Sequence, residues 1–251
     1  MNTQTHLLLA AALLCRPNAP KRNAAVIAGA LAPDLGVFGL WIWSKLAGVV
    51  ESEVWRTIYF AEPMQTIQAV ANSVPLYLLL LIAASAAIRR VAHFAGRGDA
   101  GPAGHRAASA ATSGGTRSAH TLTDDRLSDS IVPRPGRSLA ERWTASIDAA
   151  PMLALFALAA LTHLAGDLPV HADDAHRHFW PLSDWRFHSP VSYWNPSQGG
   201  GWFAFVEATI GIAAAVVLFR RFGATWVRAL LGLAIAAYVV VPLYFTLALG
   251  G

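Results

Sequence analysis

Residues 151–190 read PMLALFALAALTHLAGDLPVHADDAHRHFWPLSDWRFHSP, and this stretch decides the fold. An apolar run with the composition of a membrane helix passes, at His163, into a segment that holds five of the chain's nine histidines. Four aspartates lie among them: Asp167, Asp173, Asp174 and Asp184. Ionisable groups at this density are costly near lipid unless they have a use. Because imidazole and carboxylate are common metal ligands, the stretch predicts a membrane helix that ends in a metal-binding cluster.

The composition of the whole chain indicates an integral membrane protein. Of its 251 residues, 55% are hydrophobic and 14% are charged, and the mean hydropathy is +0.42. A soluble domain carries about 25% charged residues. The net charge of +4 is interpreted as an orientation signal rather than as a nucleic-acid surface, since no basic and aromatic motif of that kind is present. We therefore expect no nucleic-acid partner and an all-α bundle of four to six apolar membrane helices.

Six apolar segments can be drawn, at about 5–15, 23–46, 73–88, 150–166, 202–219 and 226–249. A membrane span needs about 20 residues, so 23–46 and 226–249 are long enough, the three segments between them are marginal, and 5–15 is a half-span or an interfacial helix. Arginines and lysines cluster after the first, third and fifth segments. By the positive-inside rule these basic loops are cytoplasmic and the histidine-rich loop lies outside. The predicted location is the bacterial inner membrane, crossed several times.

Residues 95–147 differ from the rest of the chain. They are rich in Gly, Ala, Ser, Arg and Thr and have no apolar periodicity, which predicts a disordered cytoplasmic loop. The chain is accordingly divided into helices at 1–94, the loop at 95–147, and helices with the outer loop 167–201 at 148–251. His93, His105 and His120 are discounted as ligands. The single cysteine, Cys15, excludes an intrachain disulfide, and it is interpreted as a buried apolar residue.

Four isolated polar residues on four apolar segments are predicted to lie at one depth. At 1.5 Å per residue, His6, Asp34, His163 and Glu207 each lie about 15–21 Å from the inner end of their segment. His163 and Asp167 are four residues apart and therefore share one helix face. Pro169 is expected to end this helix, after which His171 could return towards it from a loop.

Each of these residues also has an ordinary structural interpretation, which the sequence leaves open. His6 could be a cap or a solvated group near a terminus, Asp34 could be a turn residue or N-cap, and Glu207 could face water at a helix start. The charged residues between Asp173 and His178 could form a solvated loop with local ion pairs.

Several motifs resemble those of the bacterial membrane-bound metal-dependent hydrolases, a family that includes inner-membrane-associated, repressor-binding hydrolases. The motifs are NTQTHLLLAAALL, RNAAVIAGALAPDLGVF, HLAGD and HFWPLSDWRFHSPVSYW, and they cover most of the chain outside 95–147. The order of histidine and carboxylate residues is more distantly similar to that of zinc-dependent phospholipase C and the single-strand nucleases of its fold. The resemblance implies a helical bundle with His6, Asp34, His163 and Asp167 as metal ligands. Weaker ligand candidates are His171, His176, His178, His188 and Glu207.

The chain departs from the family at one motif. The hydrolases carry HR-x-x-THS after the Pro-Asp pair, whereas here the nearest equivalent is residues 68–73, QAVANS, with Asn72 in the place of a histidine. Two ligands that the resemblance implies are therefore missing. Either the histidines of 171–188 replace them, or the chain has lost the chemistry.

The leading hypothesis is a metal-dependent hydrolase that uses one or more Zn²⁺ ions, or Mn²⁺, on a phosphoester or a lipid-linked substrate. The ion would activate water, Asp34 or Glu207 would act as general base, and Arg177 or Arg186 would stabilise negative charge. Membrane lipids and a small-molecule or lipid-linked substrate are the expected partners. The alternatives are a non-catalytic membrane scaffold that binds a protein partner, and a metal or proton carrier.

Overall fold

The computed structural model describes residues 1–98 and 152–249, and in these ranges the chain contains helices and no strand. In chain order the main helices are α1 (Thr3–Leu14), α2 (Pro20–Leu31), α3 (Leu35–Ala47), α4 (Glu62–Ala71), α5 (Val74–Gly98), α6 (Met152–Asp167), α7 (Gly200–Arg221) and α8 (Thr225–Leu249). The predicted all-α class is confirmed.

Four stretches of these helices are long and apolar enough to span a membrane, and they identify the chain as a helical membrane protein. They are Pro20–Ala47, Glu62–Arg89, Met152–Val170 and Gly200–Arg221. The apolar stretches Thr3–Leu14 and Thr225–Val240, the second of which is the first part of α8, are shorter. α1 therefore has the half-span length that its sequence predicts.

Two helix breaks position the polar residues. Between α2 and α3 a single 3₁₀ turn, Ala32–Asp34, contains Pro33, whose ring cannot donate a backbone hydrogen bond. α6 ends at Asp167 and passes into the 3₁₀ turn Leu168–Val170, which contains Pro169. The expected end of this helix is confirmed, and the turn redirects the chain before His171.

Met1–Ser85 and Ala150–Gly251 form one compact unit. Within it, α2 packs along α6, α1 contacts α2, α6 and α7, and α8 packs on α7. The α2–α6 contact is close because small residues face it. A Cβ added to Gly29 would lie 2.1 Å from the carbonyl oxygen of Phe156, so only glycine allows the two backbones to approach this closely.

Two boundaries differ from those that the sequence predicts. Residues 47–72 are expected to connect two spans, but they contain α4, which begins at a proline-marked N-terminus and runs almost directly into α5. α5 itself continues to Gly98, so the helix runs beyond residue 94. The rest of the predicted loop, 99–147, lies outside the described residues, and so do His105 and His120. Cys15 is buried, as predicted, and burial raises its pKa to about 11.

Substitution of Gly29 tests the α2–α6 contact. We expect Gly29→Val to lower the free energy of unfolding by about 1–3 kcal/mol, because its branched side chain would collide with the α6 backbone. Gly39→Val is the matched control, since a Cβ there meets nothing within 4 Å. Unfolding of the detergent-solubilised protein, followed by tryptophan fluorescence, measures both variants. Equal stability of the two would contradict the assigned packing.

Candidate metal centre

α1 and α6 together bring two histidines and a carboxylate to one buried point. His6 Nε2 lies 2.8 Å from Asp167 Oδ1, and His163 Nε2 lies 2.9 Å from Asp167 Oδ2. One ligand atom from each of the three residues lies within 4.8 Å of the others. The two imidazole rings stack in parallel, with centroids 3.6 Å apart. Among the residues that the structure describes, this triad is a group that could hold a metal ion.

The proton on Nδ1 of His163 follows from the hydrogen bond of this ring to the main chain. Its Nδ1 lies 2.7 Å from the carbonyl oxygen of Ala30, and a carbonyl only accepts, so Nδ1 carries a proton. In the neutral ring Nε2 then presents a lone pair towards Asp167, and this buried nitrogen has no hydrogen-bond partner. The contact with Asp167, at 2.9 Å, is favourable only when a cation lies between the two atoms, which is either a second ring proton or a metal ion. An Nδ1–H bond to a carbonyl, with Nε2 left free, is how metal-binding histidines are typically oriented.

Asp34 reaches the same centre from the end of the 3₁₀ turn. Its Oδ1 lies 3.5 Å from His163 Nε2, and its Oδ2 accepts a hydrogen bond of 2.5 Å from the hydroxyl of Thr3. Its side chain is 21% exposed, whereas that of Asp167 is 4% exposed. Asp34 is therefore the carboxylate of this centre that is more open to a bound molecule.

The segment after α6 adds a third group of ligand atoms. His171 Nε2 lies 3.4 Å from Asp167 Oδ1, and His171 Nδ1 lies 3.0 Å from Asp174 Oδ2. The ring of His176 follows at 4.8 Å from that of His171. Burial opposes protonation of His171, but the carboxylates of Asp167 and Asp174 raise its pKa to about 9. Burial, together with the charge on His171, lowers the pKa of His176 to about 3, so this ring is neutral and offers a lone pair at neutral pH.

A second polar cluster lies at the start of α1, and its donors and acceptors form hydrogen bonds with one another. Glu207, which is 2% exposed, accepts hydrogen bonds from the backbone and side chain of Asn2 and from the hydroxyl of Thr5. The Thr5 hydroxyl also lies 2.5 Å from the hydroxyl of Tyr238. Glu207 neither faces water nor lines the metal centre, so its carboxylate holds the beginning of α1 against α7 and α8.

The structure does not bring four other predicted site residues into the centre. Arg177 pairs with Glu62 at 2.7 Å and with Asp184 at 3.2 Å, and these exposed carboxylates hold it at the surface of the loop. His188 is exposed, and its Nδ1 lies 2.8 Å from the carbonyl oxygen of Ala172.

The other two, Arg186 and His178, are also engaged elsewhere. Arg186 donates to the side chain of Gln65 and to the carbonyl oxygen of Ala175. His178 is buried, but its Nδ1 lies 3.2 Å from the carbonyl oxygen of Asn72 and its ring stands nearly perpendicular to that of His176.

A cavity of about 470 Å³ adjoins the centre and reaches it at Asp34 and Asp167, whereas His6 and His163 are not among its lining residues. Its floor consists of the carboxylates and imidazoles of Asp34, Asp167, His171, Asp174 and His176. Its walls are mainly aromatic, with Phe38, Trp55, Tyr59, Phe60, Tyr193 and Trp194. The sequence counts Asp174 among the aspartates of the histidine-rich stretch but does not single it out, and it gives no direct signal for the walls, because these residues come from connections whose folding depends on tertiary contacts. Only the three-residue spacing of His171 and Asp174 hints at their ion pair.

Asn72, which occupies the place of a histidine in the resembling motif, has a structural role here. Its amide donates to the carbonyl oxygens of Gln68 and Pro33, at 3.0 and 3.4 Å. Its main-chain carbonyl oxygen lies 3.2 Å from His178 Nδ1. Asn72 therefore connects α4, the 3₁₀ turn and the histidine-rich loop. The neighbouring Gln68 is 1% exposed, and its amide atoms have no hydrogen-bond partner.

No protein-family model, curated protein or solved structure matches the chain. The geometry of the centre is therefore the basis on which a function is proposed below.

Glu207 provides a test of the second cluster. We expect Glu207→Ala to lower the free energy of unfolding by about 1–3 kcal/mol, because the buried donors of Asn2 and Thr5 would lose their acceptor. Glu53→Ala removes an exposed glutamate and is the control. The same unfolding assay measures both. A Glu207→Ala protein as stable as its control would mean that this carboxylate does not anchor α1.

Proposed function

We propose that this protein is a metal-dependent hydrolase of the bacterial inner membrane, with its centre on the outer side and its basic loops in the cytoplasm. The observation that carries the proposal is the buried Nε2 of His163, which faces two carboxylates without a hydrogen-bond partner. His6 and Asp167 supply the other two ligand atoms. Three protein ligands with a remaining open position are typical of catalytic rather than structural zinc.

The donor set favours a first-row divalent ion. Two imidazoles with one carboxylate suit Zn²⁺, and Mn²⁺ also accepts carboxylate oxygen. An ion bound there would polarise a substrate oxygen and lower the pKa of a bound water. His171 and His176 lie close enough to complete the ligand set or to serve a further ion, as expected if the histidines of this loop replace those missing from the family motif.

Asp34 is the residue best placed to move a proton. It lines the cavity, is partly open to it, and is oriented by the hydroxyl of Thr3. A general base must lie within hydrogen-bond reach of the water or substrate group from which it takes the proton, and Asp34 reaches the space in front of His163. Glu207 and Arg177, the other catalytic candidates, have partners elsewhere and do not line the cavity.

Elemental analysis tests the metal centre. We expect zinc or manganese at about one or more ions per chain in wild-type protein purified in detergent without chelators. His163→Ala and Asp167→Asn should each lower the bound metal at least about tenfold, because each removes a ligand atom. His188→Ala, which removes an exposed histidine outside the cavity, should retain it.

The outcome of this measurement separates the hydrolase from its alternative. Metal that is lost only in the two cluster variants supports the proposal. Wild-type protein that binds no metal after zinc is added back, or Asp167→Asn protein with unchanged metal, would overturn it. The cluster would then be a structural polar group in a membrane scaffold that binds protein partners.

Replacement of Asp34 tests its role as base. We expect Asp34→Asn to keep its bound metal but to hydrolyse chromogenic nitrophenyl phosphodiesters or carboxylic esters about 10²-fold or more slowly, since an amide does not accept a proton. Steady-state rates and metal content are measured on the same preparation. Equal rates for variant and wild type would show that Asp34 is not the base. Loss of the metal with the activity would make it a ligand instead.

A further inference from the structure

The charges that line the cavity restrict the molecules that it can bind. Three carboxylates line it, those of Asp34, Asp167 and Asp174, and none of the described lining residues is a lysine or an arginine. A water-soluble polyanion would therefore find little countercharge apart from a metal ion and the amino group of Met1, which already lies 2.7 Å from Asp167. Most of the remaining lining is aromatic or aliphatic. The cavity is thus suited to a ligand that has one polar group and a large apolar part.

The apolar wall continues onto a helix that is exposed on most of its surface. In α3, Leu35, Phe38, Ile42 and Leu46 follow one another at helical spacing on one face, with exposed fractions of 58, 39, 52 and 85%. α3 forms part of the candidate span Pro20–Ala47, where such a face contacts lipid chains. Because Phe38 also lines the cavity, this lipid-facing stripe leads directly to the cavity mouth.

The mouth and the interior of the cavity differ in exposure. Phe38, Phe60 and Trp194 are exposed lining residues and form an aromatic rim. Tyr59, which also lines the cavity, is 8% exposed and packs with Leu40, Val54 and Met64. A lipid that merely surrounds the protein can touch the rim, but it cannot touch Tyr59. Contact with Tyr59 is therefore a marker for a chain inside the cavity.

We propose that the substrate is a membrane lipid ester that reaches the metal centre sideways from the bilayer, past Phe38. The polar ester group would lie over the carboxylates and imidazoles of the floor. The first part of the apolar chain would lie against Val37, Tyr59 and the rim, and the remainder along the exposed stripe of α3. This assignment of substrate class rests on the proposed function. Hydrolysis of such an ester consumes one water and releases an acid and an alcohol, so it needs no further co-reactant.

Photo-crosslinking in a bilayer tests the proposal. The full chain is placed in nanodiscs of phosphatidylethanolamine and phosphatidylglycerol that contain a phosphatidylglycerol with a diazirine on its acyl chain. After irradiation, mass spectrometry locates the labelled residues, and the metal content is measured on the same sample. We expect label on Tyr59 as well as on Leu46 of the exposed stripe.

Two tryptophan substitutions sharpen the result. Val37→Trp fills the cavity beside Tyr59, so the label at Tyr59 should be lost while the label at Leu46 and the bound metal remain. Leu79→Trp adds the same side chain on the exposed surface of another span and should change neither. Should Val37→Trp not fold, the labelling of Tyr59 in the wild type still decides the question.

The outcomes distinguish failure of this inference from failure of the proposed function. Metal-bound wild type that is labelled on Leu46 but never on Tyr59 would overturn lateral lipid access and leave a metal-dependent hydrolase of water-soluble esters. Label on Tyr59 that persists in Val37→Trp would also overturn it, since the label would not report on the cavity. Protein without metal would remove the substrate assignment together with the proposed function, whatever the labelling.

Discussion

The buried carboxylate of Asp167 is the constraint on which the polar structure depends. An ionised carboxylate removed from water costs several kcal/mol unless cations or hydrogen-bond donors surround it. Here the Met1 amino group, His6, His163 and His171 lie within 2.7–3.4 Å of its oxygens. They come from the start of α1, from α6 itself and from the segment after α6. Asp167 thus fixes where α1 meets α6, and it explains why the chain after Pro169 returns to the helix end.

Much of the fold could be predicted because apolar helices in a membrane are encoded locally. The candidate spans correspond to apolar runs that hydropathy detects, and Pro169 marks the end of α6 through its missing backbone donor. α4 and the extent of α5 could not be predicted in this way. Polar and apolar residues mix in Glu62–Ala71, and that segment is stabilised as a helix by contacts with α3 and with the loop, which no local pattern records.

The same distinction applies to the candidate site. The pairing of His163 with Asp167 follows from helical spacing, and the proximity of His6 and Asp34 follows from their depth in neighbouring segments. Arg177 and Glu207 carry suitable chemistry, but their partners are distant in sequence. Glu62, 115 residues away, draws Arg177 to the surface, and Asn2, 205 residues away, holds Glu207 at the start of α1. Sequence spacing contains no information about such contacts. It therefore identifies residues of suitable chemistry, but it assigns to the centre some that the structure places elsewhere.

Two neighbouring polar clusters in this protein differ in a way that bears on function. Around Glu207 the buried donors and the carboxylate satisfy one another, as is expected of a polar network whose purpose is structural. Around Asp167, by contrast, His6 Nδ1 and Asp174 Oδ1 are buried without hydrogen-bond partners among the described residues. The buried Nε2 of His163 and Nδ1 of His171 face carboxylate oxygens at 2.9 and 3.0 Å. Unsatisfied buried polar atoms are rare in proteins, and each costs about 1–3 kcal/mol. Imidazole nitrogens and carboxylate oxygens that face one another in one buried cluster are the arrangement expected of ligand atoms that converge on a cation. In the cluster around Glu207, every buried polar group described above has a partner. The difference between the two clusters favours a site around Asp167 that binds an ion over a network that only holds the helices together.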